Sequence, residues 1–217
     1  MTSSARAAAV TRTNGRTAGG ASDELGSSAQ RDRRKRILDA TLALASKGGY
    51  DAVQMRNVAE RADVALGTLY RYFPSKIHLL VSALARELER TQERTERIPM
   101  PGESPFDRLM FILSRMTQGM QRDPQLTEAM TRAFMFADAS AAAEVDTVGR
   151  LMDRMIARAL TDQTPTEDQL AIARVISDVW LSNLVAWVTR RASATDVANR
   201  VELTISLLLG VRKVETA

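Results

Sequence analysis

The segment 58–76 holds the residues whose types and spacing can do recognisable chemistry. Its pattern predicts two short helices joined by a turn of about three residues, the spacing of a helix-turn-helix. Small residues at the start of the second helix let its backbone approach DNA, and the residues after them offer hydroxyls and a guanidinium to phosphates and base edges. The small residues are Gly67 and Thr68, and those that follow are Tyr70, Arg71 and Tyr72.

Elsewhere in the chain, few residues are of the types that catalyse reactions or bind metals. There is no Cys, the single His is His78, and neither a glycine-rich phosphate loop nor a carboxylate pair of recognisable spacing occurs. We therefore expect no cofactor and no metal, and an enzyme is the weaker hypothesis. Because His78 falls one turn into a predicted helix, we expect it at the surface or in a capping role. The absence of Cys fits a reducing cytoplasm.

Positive charge is concentrated around the same segment. Residues 31–76 carry ten Lys and Arg against five acids, residues 1–30 carry three against two, and the remainder carries seventeen against nineteen. A localised basic segment of this kind predicts contact with a polyanion, here double-stranded DNA. No membrane partner is expected, since no run approaches the ~18 apolar residues of a membrane span. The basic run that could anchor the segment on phosphates or in the minor groove is Arg31, Arg33, Arg34 and Arg36.

Apolar residues at helical spacing predict an all-α chain with no strand pattern and no repeat. Residues 1–30 are small and polar and predict a disordered basic arm, with a transit peptide as a weaker alternative. A helix-turn-helix domain over 31–77 and a larger helical domain over 78–217 follow. The helices are predicted at about 31–49, 55–62, 65–72, 76–97, 105–121, 124–137, 141–161, 166–191 and 194–212.

The segment closely resembles the DNA-binding module of the TetR family, which typically reads I-A-x-x-A-G-V-S-x-G-T-L-Y-x-H-F-x-S-K-E-x-L. The upstream helix, with Arg36–Ala40 and the Gly48-Gly49 end, fits as well. The resemblance implies a three-helix DNA-binding domain followed by a helical bundle for effector binding and dimerisation. The matching residues are Ala59, Ala62, Val64, Gly67, Thr68, Leu69, Tyr70, Phe73, Ser75, Lys76 and Leu79.

Several positions depart from the family pattern, and others keep it. Asp63 replaces the usual turn glycine, but Asp tolerates left-handed geometry, so we expect the turn to survive. Ala65 removes a helix cap at a cost of ~1 kcal/mol. Gln54 stands where Thr or Ser often caps the second helix, and Ile77 replaces a first-turn acid. Ser75 remains a plausible N-cap for the long helix that follows.

The resemblance also assigns DNA contacts. Tyr70 and Lys76 become expected phosphate contacts, with Arg56 a weaker candidate. A packing role for Tyr70 stays open, and any one Arg of the basic run could equally be a solvated charge at a helix start. The expected major-groove face is Ala65, Leu66, Gly67, Thr68, Arg71 and Tyr72.

In the family, the last two long helices pair with those of a second copy. A two-fold dimer places its recognition helices about 34–36 Å apart and calls for a palindromic operator. Part of the apolar set on these helices could instead be core within one chain. The candidates for the dimer seam are Val175, Val179, Leu203, Leu207, Leu208 and Val211.

The second domain is also rich in Met and aromatic residues. Methionine suits irregular apolar cavities, and aromatic walls suit a large rigid hydrophobe, so we expect a lipophilic effector. Plain core is the alternative for each of these residues. The candidates for the effector pocket are Met110, Leu113, Met116, Met120, Met130, Phe134, Met135, Phe136, Trp180, Leu184 and Trp187.

Beyond the family, the whole chain resembles the KstR subgroup of actinobacterial members, through its Arg/Ser/Thr-rich arm, its basic run and the block 65–76. This resemblance implies a repressor of sterol (cholesterol) and lipid catabolism genes that is released by a sterol-derived acyl-CoA. Other target genes, a different apolar effector, an activator, and a constitutive DNA-binding protein without effector remain alternatives.

Overall fold

The computed structural model describes residues 18–211, and these residues form nine α-helices and one short 3-10 turn at Ala139–Ala141. The described part of the chain contains no strand, which confirms the all-α prediction. The helices are α1 (Ala18–Ala52), α2 (Met55–Arg61), α3 (Leu66–Tyr72), α4 (Lys76–Glu96), α5 (Pro105–Arg122), α6 (Pro124–Met135), α7 (Ala142–Leu160), α8 (Glu167–Val188) and α9 (Ala194–Leu208).

The first helix differs from its prediction at the start and agrees with it at the end. It begins at Ala18, so residues 18–30 of the segment expected to be disordered are helical. Extending an existing helix adds one hydrogen bond per residue, which offsets the low helix propensity of the three glycines in this segment. Residues 1–17 of the predicted arm lie outside the described residues. At Gly48 and Gly49 the backbone leaves helical geometry, with Gly49 at a φ of 66°, as the glycine stop predicts.

The first three helices close around a small apolar core. Ile37, Leu38, Val58 and Leu69 are fully buried, and Phe73 ends the third helix inside the same core. This packing fixes the angle at which α3 leaves the turn. The module is therefore a compact platform that presents the outer face of α3.

The long helix α4 joins the platform to the second domain. It begins after Ser75, whose side chain accepts a hydrogen bond from the backbone N–H of His78, so the predicted N-cap is confirmed. Its 21 residues span ~30 Å at the usual helical rise. One end of α4 therefore lies beside the recognition helix, and most of its residues between His78 and Leu88 are buried against the rest of the chain.

The second domain is a bundle of α5–α9 with the C-terminal part of α4. Three of its helices start with capping boxes, at Ser104, Thr166 and Ser193, which is why their first residues lie close to the predicted ones. Helix α7 packs against α4, α5 and α8 and lies at the centre of the bundle.

Helix α8 is long and apolar enough, by composition alone, to cross a membrane. Core helices of globular proteins have the same length and composition. Here Ile176, Trp180 and Leu184 are buried against the bundle, whereas Val175 on the opposite face is exposed. The apolar character of α8 is thus shared between the bundle core and an outer face.

Candidate DNA interface and ligand cavity

The turn of the helix-turn-helix is held by hydrogen bonds from both sides. Asp63 adopts a φ of 52°, the left-handed geometry predicted for it. Within the turn, the N–H of Val64 donates to the carbonyl of Ala59 at 3.0 Å. From α1, the Arg36 guanidinium donates to the carbonyls of Ala62 at 2.9 Å and of Asp63 at 3.3 Å. Arg36 of the basic run therefore stabilises the C-terminal end of α2. This role could not be predicted from its position in the sequence.

Helix α3 presents an exposed outer face. It starts at Ala65 without a side-chain cap, and α2 starts at Gln54 in the same way, as the two departures from the family pattern predict. Leu69 is buried beneath the helix, and the space around Gly67 is open. The predicted DNA-contacting residues Arg56, Ala65, Leu66, Gly67, Tyr70 and Arg71 are exposed, and Thr68 and Tyr72 are half-buried.

The start of the platform adds positive charge beside this face. Arg31, Arg33 and Arg34 are all exposed on α1. The Arg34 guanidinium lies 5.7 Å from the ring centroid of Phe73, so it approaches the end of α3 rather than projecting away from it. These arginines and the outer face of α3 form one candidate interface for the sugar-phosphate backbone.

Lys76 lies in a more enclosed place than the sequence predicts. Its ammonium nitrogen is 3.8 Å from the ring centroid of Tyr50, and the residue is half-buried. Burial lowers the pKa of Lys76, and the nearby acids Asp51 and Glu128 only partly offset this effect. The phosphate contact expected of Lys76 stays a prediction, because its cation already contacts a ring.

The same ring belongs to a junction between the platform and α6. The backbone N–H of Tyr50 donates to Glu128 Oε2 at 3.1 Å, and the Arg132 guanidinium lies 4.4 Å from the ring centroid. Arg132 also lies within ion-pair distance of Asp51 and Glu128. A Cβ at Gly49 would come within 3.1 Å of the Glu128 carboxylate, so the close approach favours glycine there.

His78 is buried, contrary to the surface role predicted for it, although it does sit at the cap. Its Nε2 lies 3.0 Å from the carbonyl of Ser140, and its Nδ1 lies 2.9 Å from the hydroxyl of Ser75. Since a carbonyl only accepts, the contacts assign the proton to Nε2. The imidazole thus ties the start of α4 to the 3-10 turn before α7. Within residues 18–211 no cluster of His, Cys, Asp and Glu suited to a metal was found.

A cavity of about 850 Å³ lies inside the second domain between α4, α5, α6, α7 and α8. Of the predicted pocket residues, six line it: Met116, Met120, Met130, Phe134, Trp180 and Leu184.

Five other predicted pocket residues lie elsewhere. Met110 and Leu113 do not line the cavity: Leu113 is buried in the apolar core and Met110 packs against that core, the plain-core alternative for each of these residues. Trp187 lies further along α8, beside a shallow surface hollow. The remaining two are exposed at the end of α6, so their assignment to the pocket is wrong: Met135 and Phe136.

Charged residues also line the cavity, and the sequence pattern did not predict them as pocket residues. We call the seven arginines among them the cavity arginines, and six acids accompany them, so the lining is not uniformly basic. Recognition of an anion there depends on how individual arginines are held. The cavity arginines are Arg94, Arg115, Arg122, Arg150, Arg154, Arg158 and Arg174.

One acid could have been found from the sequence. Asp153 is buried on α7 between the apolar residues Met152 and Met155, so it interrupts the buried stripe of an amphipathic helix. A carboxylate in such a stripe is unusual unless it is paired or contacts a ligand.

The predicted dimer seam is exposed in the single chain. Val175, Leu203, Leu207, Leu208 and Val211 are large apolar residues with at least a third of their surface exposed, and Leu207 reaches 73%. Val179 is half-buried. These residues lie on α8, on α9 and just after α9, so the two helices share an apolar outer surface.

Comparison with known proteins agrees with this architecture. The family model for bacterial regulatory proteins of the tetR family matches residues 37–83, and that for the tetracyclin repressor-like C-terminal domain matches 102–208. The chain is 77% identical over 188 residues to the HTH-type transcriptional repressor KstR of Rhodococcus jostii, covering 87% of this chain and 88% of that protein. Identity to the repressor KstR of Mycobacterium tuberculosis is 67% over 190 residues, covering 88% and 86% of the two chains.

Solved structures show the same fold. A TetR transcriptional regulator from Rhodococcus sp. RHA1 superposes with a TM-score of 0.75 at 33% identity, over 86% of this chain and 99% of that one. The TetR-family repressor FadR of Thermus thermophilus, solved with lauroyl-CoA, superposes with a TM-score of 0.67 at 22% identity, over 85% and 98%. The chain therefore belongs to the TetR family of bacterial regulatory proteins, as a helix-turn-helix transcriptional repressor of the KstR type.

Proposed function

We propose that this repressor binds a palindromic operator as a homodimer, and that a large lipophilic acyl-CoA releases it from genes of sterol (cholesterol) and lipid catabolism. The observation that carries the proposal is the cavity of about 850 Å³, apolar for much of its wall and lined by arginines, in the domain behind the DNA-binding platform. A constitutive DNA-binding protein would have no use for such a cavity.

The exposed face of α3 supports the DNA half of the proposal. Tyr70 and Arg71 are free to reach phosphates and base edges, and Arg31, Arg33 and Arg34 extend the positive surface along α1. Contacts of this kind position the protein through the backbone and read sequence through the groove. With DNA as its partner, the repressor would act in the cytoplasm.

The cavity supports an acyl-CoA as the effector. Its volume lies in the upper part of the ~300–1,000 Å³ range of ligand pockets, enough for a long chain or a fused-ring system. Met116, Phe134 and Trp180 offer it an adaptable apolar wall. Two fold relatives, the FadR proteins of Thermus thermophilus and Bacillus subtilis, were solved with lauroyl-CoA and stearoyl-CoA, and this adds weight to the thioester class.

The apolar outer surface of α8 and α9 supports the dimer. Leu203 and Leu207 lie one turn apart on α9 and are both exposed in the single chain, which is unusual for an isolated domain. A second copy would cover them. Leu207→Glu should convert the dimer to monomer in sedimentation velocity while leaving the far-UV circular dichroism unchanged, because this side chain makes little contact within its own chain. A dimer that persists in the variant would move the interface away from α9.

The function itself is tested by a gel shift with the DNA upstream of the repressor's own gene. We expect a specific complex that a sterol-derived acyl-CoA dissociates and free coenzyme A does not. Specific binding that no acyl-CoA releases would refute the effector half and leave the repressor. If fatty acyl-CoAs release the DNA and the sterol thioester does not, the sterol assignment is wrong.

A further inference from the structure

An ion pair with one buried partner lies in the cavity wall. The Arg174 Nη2 donates to Asp153 Oδ2 at 3.0 Å, and Nε lies 3.4 Å from the same oxygen. The hydroxyl of Ser177 lies 3.4 Å from the other carboxylate oxygen. All three residues line the cavity, so the pair joins α7 to α8 where the effector would lie.

The two partners are buried to very different degrees. The Asp153 side chain is 12% exposed, whereas that of Arg174 is 71% exposed. Burying an unpaired carboxylate costs free energy, so the ion pair with the guanidinium stabilises Asp153 and holds Arg174 beside it. Arg174 Nη1 forms no hydrogen bond within the described residues, and its two N–H groups remain available to a ligand.

Arg174 differs in this respect from the other cavity arginines. Arg115 lies over the ring of Phe111, and Arg158 reaches the backbone carbonyl of Glu96 at 3.5 Å. In the described part of the chain, Arg174 alone among the cavity arginines forms an ion pair with a buried acid. An arginine held in one orientation loses less freedom when it binds an oxygen, so it contributes more to affinity and selectivity.

The wall next to Asp153 leaves room for a ligand. Gly149 lies one turn before Asp153 on the same face of α7 and also lines the cavity. A Cβ at this position would meet no atom within 4 Å, so the space beside the carboxylate is open. Any larger residue at 149 would project into it.

We propose that Arg174, oriented by Asp153, is a specificity-determining residue that binds an acceptor oxygen of the effector while the apolar wall takes its hydrocarbon part. The inference rests on the proposed function, because it assigns a polar contact within the same effector cavity. The oxygen has a carbonyl or anionic character, and it belongs either to the acyl end of the ligand or to a phosphate of coenzyme A. Asp153 is then a positioning residue, which acts on the ligand only by orienting Arg174.

Ligand titrations followed by the fluorescence of Trp180 and Trp187 test the assignment. The probes are cholestenoyl-CoA, cholestenoic acid, cholesterol and free coenzyme A, with the full-length protein. Arg174→Met should weaken binding of cholestenoyl-CoA by about 10- to 100-fold, the usual effect of losing a charged hydrogen bond. Binding of cholesterol, which has no carboxyl group, should stay unchanged.

The acid and the thioester separate the two sources of the oxygen. Weaker binding of cholestenoic acid as well places the contact at the acyl end. An effect confined to cholestenoyl-CoA and free coenzyme A places it at a phosphate. Either result supports the inference.

Two further variants guard against a purely structural effect. Arg154→Met removes another cavity arginine that forms no ion pair in the described structure, and we expect its effect to be smaller than that of Arg174→Met. Asp153→Asn keeps the side chain's shape but loosens Arg174, so it should lower the affinity ratio of cholestenoyl-CoA to cholesterol. If Arg174→Met folds poorly, Arg174→Lys keeps the charge but loses the fixed fork, and the same ratio should fall.

Different results would overturn the role of Arg174 and the proposed function. Equal weakening of all probes, cholesterol included, would show that the pair only supports the fold. Unchanged binding of cholestenoyl-CoA in Arg174→Met and Arg174→Lys would also overturn the inference, and the proposed function would stand. No binding of any probe to the unmodified protein would overturn the proposed function, and the inference with it.

Discussion

Tyr50 provides a direct test of how the DNA-binding platform is held against the effector domain. Two cations contact its ring, Lys76 at 3.8 Å and Arg132 at 4.4 Å from the centroid. A cation over an aromatic face stabilises by ~0.5–1 kcal/mol when exposed and by ~2 kcal/mol when desolvated. Because Tyr50 and Lys76 are half-buried, Tyr50→Leu should lower the free energy of unfolding by about 1–3 kcal/mol, counting both contacts.

The matched control is Tyr50→Phe, which keeps the ring. The phenol hydroxyl forms no hydrogen bond within the described residues, so we expect this variant to stay within ~0.5 kcal/mol of the parent, as surface changes usually do. The backbone N–H that donates to Glu128 is present in both variants, so it cancels from the comparison. Tyr50→Leu removes the ring with part of its apolar area, whereas Tyr50→Phe keeps both.

Urea unfolding followed by circular dichroism, in the absence of DNA, measures the difference. The two variants should share an m-value and differ in midpoint, since neither changes the surface exposed on unfolding. Equal midpoints for Tyr50→Leu and Tyr50→Phe would refute the reasoning, because the ring would then contribute only its apolar area. A destabilised Tyr50→Phe would instead reveal a role for the hydroxyl.

Three other perturbations examine the DNA face, the base of the platform and the cavity. Tyr70→Ala should weaken binding to every DNA sequence, and Arg71→Ala should also change the sequence preference. The affinity of the parent protein for DNA should fall steeply as the salt concentration rises. If fluorescence anisotropy titrations give the parent's DNA affinity for both variants, α3 does not contact DNA through these residues. Although burial raises the pKa of Asp39, hydrogen-bonding cations beside it, Arg86 among them, hold that pKa below its usual value. The stability it contributes is therefore present above its unfolded pKa of ~3.9 and lost as pH falls through the folded one, so Asp39→Asn should destabilise at pH 7 in urea titrations, and its difference from the parent should shrink as the pH is lowered through the folded pKa. In α5, a Cβ at Gly119 meets no atom within 4 Å; Gly119→Ala should stabilise by ~0.5–1 kcal/mol, whereas Gly119→Trp should abolish release by acyl-CoA yet keep operator binding in gel shifts.

Most helix starts could be predicted because their signals are local, whereas α1 begins well before its predicted start and α8 and α9 end before their predicted ends. Ser75 caps α4 and Pro124 opens α6, each within a residue of the predicted boundary. The left-handed turn at Asp63 could be predicted from its residue type, although the Arg36 guanidinium that helps to hold it could not. Periodicity, caps and prolines act over one or two turns, a range that a single sequence contains in full.

The inner face of each bundle helix could not be predicted to the residue. Met110 and Met116 lie on one apolar helix, and only the second lines the cavity. Which face meets a void depends on how five helices are placed around it, and that placement is set by contacts between distant parts of the chain. A stripe that borders a cavity has the same pattern as a stripe that borders another helix.

Partners of polar residues were hidden for the same reason. His78 binds a carbonyl 62 residues further along the chain, and Lys76 binds the ring of Tyr50 across the junction. A motif shows that a residue type suits a task, as the lysine suits a phosphate. It does not show what else in the folded chain already occupies that side chain.

Helix α6 places one constraint on any route from the cavity to the DNA. Met130 and Phe134 on its inner face line the cavity, while Glu128 and Arg132 on its outer face contact the end of α1. The helix has only 12 residues, so a ligand cannot displace its inner face without loading the outer contacts. If an effector acts on the platform through α6, either α6 carries the platform with it or the Tyr50 junction breaks. The Tyr50→Leu and Tyr50→Phe comparison measures what the Tyr50 ring contributes to that junction, and the ion pairs of Arg132 with Asp51 and Glu128 add to the cost of breaking it.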